Sequence, residues 1–173
     1  FGREKYQRQL VRYLLQQFPD GKIKLPLVQS SDQPLEFPKF LAQQFSGGER
    51  HLLDKNELQE AIHGVSGMMR FSKHDHPVLL DVLGQLLVMH FGPELDAKRL
   101  AARCYFMAAQ VSKDKQTAAA YRDLASDALS MQVARVGSTK PVNPRDIERM
   151  FLEELEDARA WYCLLYTSDA ADD

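Results

Sequence analysis

The chain has 173 residues, 45% of them hydrophobic and 27% charged, and a formal net charge of −2 at pH 7. It is long enough to bury one core or to build a short helical array, and too evenly charged for a nucleic-acid footprint or an acidic tail. The longest strongly apolar run, VLLDVLGQLLVMHF, is broken by Asp81 and Gln85 and is too short to cross a bilayer, so no membrane span is expected.

Residues 3–18 place Tyr6, Leu10, Tyr13 or Leu14, and Phe18 at helical spacing, with Arg3, Lys5, Arg8 and Arg12 elsewhere, and predict a first helix. Those four cations alternate with Glu4 and glutamines and make no basic stripe. The following FPDGKIKLPLVQSSDQP reads as a loop with a short extended piece at most, because Pro19-Asp20-Gly21 is turn chemistry and Pro26 and Pro34 interrupt any long element. Pro38 opens a brief helix to about Phe45, closed by Gly47 and Gly48. Asp54 stands three residues ahead of Glu57 as in a capping box, and helices are expected over 55–71, 77–91, 95–112, 117–135 and 144–162. The last has a marked start: Asn143 caps, Pro144 suits the first turn, and Asp146 follows. Its apolar side carries Ile147, Met150, Phe151, Leu155, Ala158 and Trp161 or Tyr162.

After Tyr162 that pattern stops. The closing CLLYTSDAADD resembles, from Cys163 to Asp172, the translation of a transposase end and sequencing adapter, and 163–173 is read as a non-native tail. Setting aside Asp169, Asp172 and Asp173 moves the net charge to +1, still near neutral. Cys104 is then the one remaining cysteine, which cannot form an internal disulfide and implies no oxidising compartment. The chain opens at Phe1 rather than Met, as expected of a fragment, and its localisation is left unassigned.

The strongest signal is internal spacing. Ala61, Val65 and Met68 recur 41 residues later as Ala102, Phe106 and Ala109, and Leu80, Leu83, Gly84 and Leu87 recur as Tyr121, Leu124, Ala125 and Ala128. Small residues at 61, 84, 102, 109 and 125 let backbones approach, and bulky ones fill between them, as in stacked helical hairpins. The helix around AKRLAARCYFMAAQV leaves only Arg99, Arg103 and Gln110 for water, so burial on several sides is expected.

The run Leu80-x-x-Leu83-Gly84-x-x-Leu87, followed by Ala102-x-x-x-Phe106-x-x-Ala109, resembles the two helices of a tetratricopeptide repeat. Tyr121-x-x-Leu124-Ala125-x-x-Ala128 resembles the first helix of the next repeat, so the resemblance covers residues 57–132. Three features depart from the family pattern: the long inter-helix segment FGPELDAKRL, Asp114 in place of the terminal proline, and a period above the usual length of about 34. HEAT-like helix pairs have a closer period. More loosely, residues 1–162 resemble the C-terminal part of bacterial repeat proteins. The resemblance implies an all-α, right-handed solenoid of stacked antiparallel hairpins in 55–136, preceded by a helix and Pro-rich loop segment in 1–54 and followed by a helix in 143–162. It also implies a concave groove lined by Asp81, Gln85 and Val88, then Arg122, Ser126 and Leu129, suited to a protein or peptide partner.

Three other stretches carry chemistry in principle. FSGGERHLL, residues 45–53, resembles the signature segment of ATP-binding-cassette ATPases, but no glycine-rich phosphate loop or acid-terminated strand accompanies it, so Gly47 and Gly48 are read as a helix stop. His74 and His76 flank Asp75 in RFSKHDHP, with His63 one helix away; they are weak metal candidates in what reads as an inter-helix turn where Asp75 or His76 caps the next helix. Cys104 has mostly apolar neighbours, which suits a buried small side chain and not a thiolate nucleophile. Glu153, Glu154, Glu156 and Asp157 read as a solvated face. The expectation is a non-enzymatic interaction or scaffold segment with a protein partner, no cofactor and no nucleic acid. The alternatives are an accessory helical domain of an enzyme whose catalytic region lies elsewhere, and a metal-dependent hydrolase built on His74 and His76.

Overall fold

The computed structural model describes residues 3–31, 34–72, 74–89, 95–136 and 143–168. Among these residues the secondary structure is all helical: α1 (Arg3–Gln17), α2 (Phe37–Ser46), α3 (Lys55–Phe71), α4 (Pro77–Val88), α5 (Leu95–Val111), α6 (Lys115–Val136) and α7 (Pro144–Ser168). The expected all-α class is therefore observed. Consecutive helices from α3 to α6 pack on one another, α1 lies on α3, and α2 joins α1 to α4.

Local chemistry sets the helix ends. Gly47 adopts φ 66° and its amide donates to Gln43, closing α2 in a left-handed turn, so SGG here is a stop signal. At α3 the capping box is complete: Glu57 N–H donates to Asp54 Oδ1 at 2.8 Å, and Asp54 N–H donates to Glu57 Oε2 at 3.0 Å. His76 occupies the position before α4 but makes no side-chain cap, and Pro77 starts the helix without losing an amide bond. Asp114, standing where a repeat would end in proline, accepts the Thr117 N–H at 2.7 Å and so starts α6. Asn143 accepts the Arg145 N–H at 3.1 Å at the head of α7. The expected continuation of α4 to residue 91 and the FGPEL part of the inter-helix segment lie, beyond Met89, mostly outside the described residues.

Two apolar clusters form the core, and α4 divides them. Val78, Leu79, Val82 and Leu86 join Tyr6, Tyr13, Phe37, Phe40, Leu41 and Val65 on one side. Leu80 and Leu87 join Ala102, Tyr105, Phe106, Tyr121, Ala125 and Leu129 on the other. Helical spacing produces this division, since i, i+4, i+8 and i+2, i+9 positions occupy different faces of one helix. The burial on several sides expected of the helix at 95–112 is observed in α5, where Ala101, Ala102, Tyr105, Phe106, Met107, Ala108 and Ala109 are all buried; α4 is enclosed further still, with even Asp81 and Gln85 buried. Leu100 on α5 is 47% exposed, beside exposed Arg99 and Gln110.

Small residues stand where backbones meet rings. A methyl group on Gly84 would lie 2.6 Å from Tyr105 Cε1, and the same addition at Gly64 would overlap the Tyr6 ring. Ala61, Ala102, Ala109 and Ala125 are all buried, as the spacing implied.

α7 docks by its first half. Ile147, Phe151 and Leu155 pack on the second cluster, Phe106 and Phe151 stack with centroids 6.4 Å apart, and Arg122 Nε donates to Glu148 at 2.8 Å. Met150 and Trp161, expected on the same inner side, are 48% and 64% exposed. The helix runs on to Ser168 and not to Tyr162, since Cys-Leu-Leu-Tyr contains no breaker and leucine favours helix.

Two substitutions test this packing. Phe106→Ala removes a ring that is 1% exposed and is expected to cost about 3–5 kcal/mol, read from urea and thermal melts. Gly84→Ala gains helix propensity but collides with a buried tyrosine, and a net loss of about 1–3 kcal/mol is expected in the same melts. Unchanged stability in either variant contradicts the arrangement of α4 and α5.

Candidate functional site: the cleft between α4 and α6

Asp81 and Gln85, four residues apart, lie on one face of α4, and that face is turned inward. The Leu27 N–H donates to Asp81 Oδ2 at 2.9 Å, and the Tyr121 hydroxyl donates to the same oxygen at 2.8 Å. Gln85 Nε2 donates to Asp81 Oδ1 at 2.7 Å, while Gln85 Oε1 accepts the Phe37 N–H at 2.7 Å. One buried carboxylate and one buried amide thus bind the loop at Leu27, the start of α2 and the second turn of α6. Burial raises the Asp81 carboxyl above its ordinary value, opposed by the three donors. The same burial, with the Asp81 charge nearby, raises the Tyr121 hydroxyl and keeps it a donor.

The segment between α1 and α2 is held as a bound chain would be, by side chains that read its backbone. Besides Leu27 and Phe37, the Leu35 N–H donates to Gln17 Oε1 at 3.3 Å and the Leu35 carbonyl accepts from the Tyr13 hydroxyl at 2.8 Å. Pro26 to Ser30 closes in a turn, the Ser30 N–H donating to the Pro26 carbonyl at 3.0 Å, in place of the short extended piece expected there. The prolines that argued against a long element also leave amides without ladder partners, and Asp81, Gln85 and Gln17 supply acceptors for three of the segment's amides.

Between this segment, α4, α5 and α6 lies a cavity of about 260 Å³. Val88, Met89, Leu124, Ala128 and Val28 supply apolar wall, Tyr105 an aromatic face, and Asp81, Gln85, Glu36 and Asp127 polar atoms. That volume falls below the range of about 300–1,000 Å³ typical of small-molecule and cofactor sites, and it suits one long side chain. A larger and more open depression of about 490 Å³ lies among α1, α3 and α4, lined by Val11, Ile23, Phe71 and others, without a buried polar anchor of this kind.

Of the six expected groove residues, Asp81, Gln85 and Val88 line the cavity, the first two with their polar atoms already bonded within the chain. They are neither open groove floor nor a wet helical stripe, because the loop at Leu27 and the start of α2 cover them. Arg122, Ser126 and Leu129 are not brought to the cavity. Arg122 pairs with Glu148 of α7, Ser126 donates to the Arg122 carbonyl at 2.9 Å, and Leu129 is buried in the second cluster. The α6 residues at the cavity are Leu124, Asp127 and Ala128. Sequence reasoning missed Tyr121, Tyr105, Glu36 and Asp127; the available signal was a lone Asp and Gln at i, i+4 within an apolar run, which requires partners from elsewhere in the chain.

His74 and His76 are exposed in the turn before α4. Among the described residues no group of three His, Cys, Asp or Glu side chains stands together to hold a metal. Cys104 packs at the second cluster, where burial pushes its thiol up to about 12, far from thiolate chemistry at neutral pH.

The Asp81 bonds generate a prediction with a definite pH signature. Asp81→Asn keeps one acceptor and places a donor against another donor; Gln85 cannot rotate to relieve this without releasing Phe37. A loss of about 1–3 kcal/mol at pH 7 is expected in urea melts. Because the folded carboxyl is raised above the unfolded value of about 3.9, the folded chain holds a proton there that the unfolded chain has released. The parent therefore loses stability as pH climbs above the unfolded value and the variant does not, so the gap between them narrows as pH rises from about 4. A gap that widens with pH contradicts the assignment. In comparisons with known proteins, no family model, no curated protein and no solved structure matches this chain.

Proposed function

We propose that the chain is a non-catalytic, tetratricopeptide-like helical module of a larger bacterial protein, a right-handed stack of hairpins that holds a protein or peptide partner at the cleft between α4 and α6. The observation that carries this reading is the cavity itself: a side-chain-sized space with apolar walls, walled on one side by a stretch of chain whose backbone amides α4 already binds. Recognition of irregular backbone by buried side-chain acceptors is the chemistry by which such a module holds a peptide, and here it operates within the chain. The recurrence of small and bulky residues at a spacing of 41 supports the repeat reading. On the α4 side the site keeps Asp81, Gln85 and Val88. On the α6 side it takes Leu124, Asp127 and Ala128 in place of Arg122, which pairs with Glu148 of α7, and of Ser126 and Leu129, which lie off the cavity.

The test is selection of peptides from a random displayed library on the immobilised protein, followed by titration of the winners against the parent and Leu124→Arg. Leu124 is half-buried at the edge of the second cluster, so the substitution places a charge and bulk in the cavity, and a thermal melt of the variant checks that it stays folded. Enriched peptides are expected to lose at least about tenfold in affinity, the scale at which a lost central contact registers. Failure to enrich any sequence, or winners indifferent to Leu124→Arg, sinks the proposal.

A further inference from the structure

We infer that the cleft takes a long cationic side chain, a lysine of the partner segment, with its methylenes along Val88 and Leu124 and its ammonium at Asp127. The inference rests on the partner-binding reading above and gives that partner a chemistry. Among the described residues three carboxylates line the cavity, Glu36, Asp81 and Asp127, and no lysine, arginine or histidine does. They are not equivalent. Asp81 already accepts three hydrogen bonds from neutral donors, and Glu36 is paired with Lys39 at 2.8 Å. Asp127 is exposed at the cavity and forms no ion pair among the described residues.

The rest of the lining fits the same occupant. Lysine carries a flexible four-carbon stem that gains by burial against apolar wall while its head stays at the polar mouth. Val88, Met89, Leu124 and Ala128 provide that wall. The Tyr105 ring, held against Tyr121 with centroids 6.3 Å apart, offers a fixed aromatic face beside the path of the cation. A carboxylate-bearing side chain would meet Asp127 and Glu36 with like charge and is disfavoured. A purely apolar one would fill the same wall but gain nothing from the Asp127 carboxylate at the mouth.

The experiment uses three pools of random nonapeptides with a fixed central lysine, norleucine or glutamate, titrated into the ¹⁵N-labelled chain and followed at the amides of Val88, Leu124 and Asp127. Norleucine keeps the methylenes and lacks the amine, so it separates charge from apolar fit. The lysine pool is expected to bind about tenfold more tightly than the norleucine pool, the sum of a partly buried ion pair and a cation–π contact. Asp127→Asn is expected to bring the two pools to near equality, while Asp123→Asn, exposed on α6 and off the cavity, leaves the preference in place. Equal binding of lysine and norleucine pools in the parent overturns the inference while leaving the partner-binding reading standing. Absence of shifts at these amides with every pool overturns both.

Discussion

A carboxylate taken out of water must find donors, and the way Asp81 finds them organises the rest of this chain. Its two oxygens receive a backbone amide from the loop, a hydroxyl from α6 and an amide from its own helix. None of these donors is cationic, so the site is held by dipoles, each of which is neutral and directional. The cost of burying the group is offset only when all three arrive together. That requirement ties the irregular segment at Leu27 to the placement of α6, through the Tyr121 hydroxyl, on the same carboxylate of α4. Leu25 and the Thr117 hydroxyl, 3.4 Å from the Leu25 carbonyl, add a weaker link of the same kind.

The two-sided burial of α4 follows from this. A helix with one wet stripe can separate a core from solvent, whereas α4 separates one core from another and has no stripe to spare. Its polar residues therefore had to be satisfied internally, and the N-terminal segment is the part of the chain free to do so. Loops ordinarily lie on the surface because their amides need water. Here Pro26 and Pro34 reduce the number of amides, and Gln17, Asp81 and Gln85 take those of Leu35, Leu27 and Phe37.

Much of the fold was legible in the sequence, and for identifiable reasons. Gly47, Asp54 with Glu57, Pro77, Asp114 and Asn143 act through bonds that span four residues or fewer, so the helix limits they set can be read locally. The ring against Gly84 was legible as a need for closeness, though not as Tyr105. The candidate site was legible only in half. Asp81, Gln85 and Val88 follow from position on α4, but what covers them comes from residues about 50 positions away, and no local pattern encodes that. On α6 the transferred positions Arg122, Ser126 and Leu129 do not line the cavity, and Leu124, Asp127 and Ala128 do.

By spacing, Tyr121 is the counterpart of Leu80, and Arg122 is the counterpart of Asp81. Regular stacking would put Asp81 and Arg122 on one continuous surface. Instead the Tyr121 hydroxyl reaches Asp81 itself, while Arg122 turns to Glu148 of α7. Each of the two equivalent faces is thus closed by a different non-repeating element, the N-terminal segment over α4 and the first half of α7 over α6. Arrays of stacked helices expose binding surface wherever such closure is incomplete. Between these two covers the seam bounded by Val88, Tyr105, Leu124 and Asp127 stays open, and it is there that the lining combines hydrocarbon, an aromatic face and an unpaired carboxylate among the described residues. The open seam therefore lies where the two covers leave off, at positions that the 41-residue spacing does not mark.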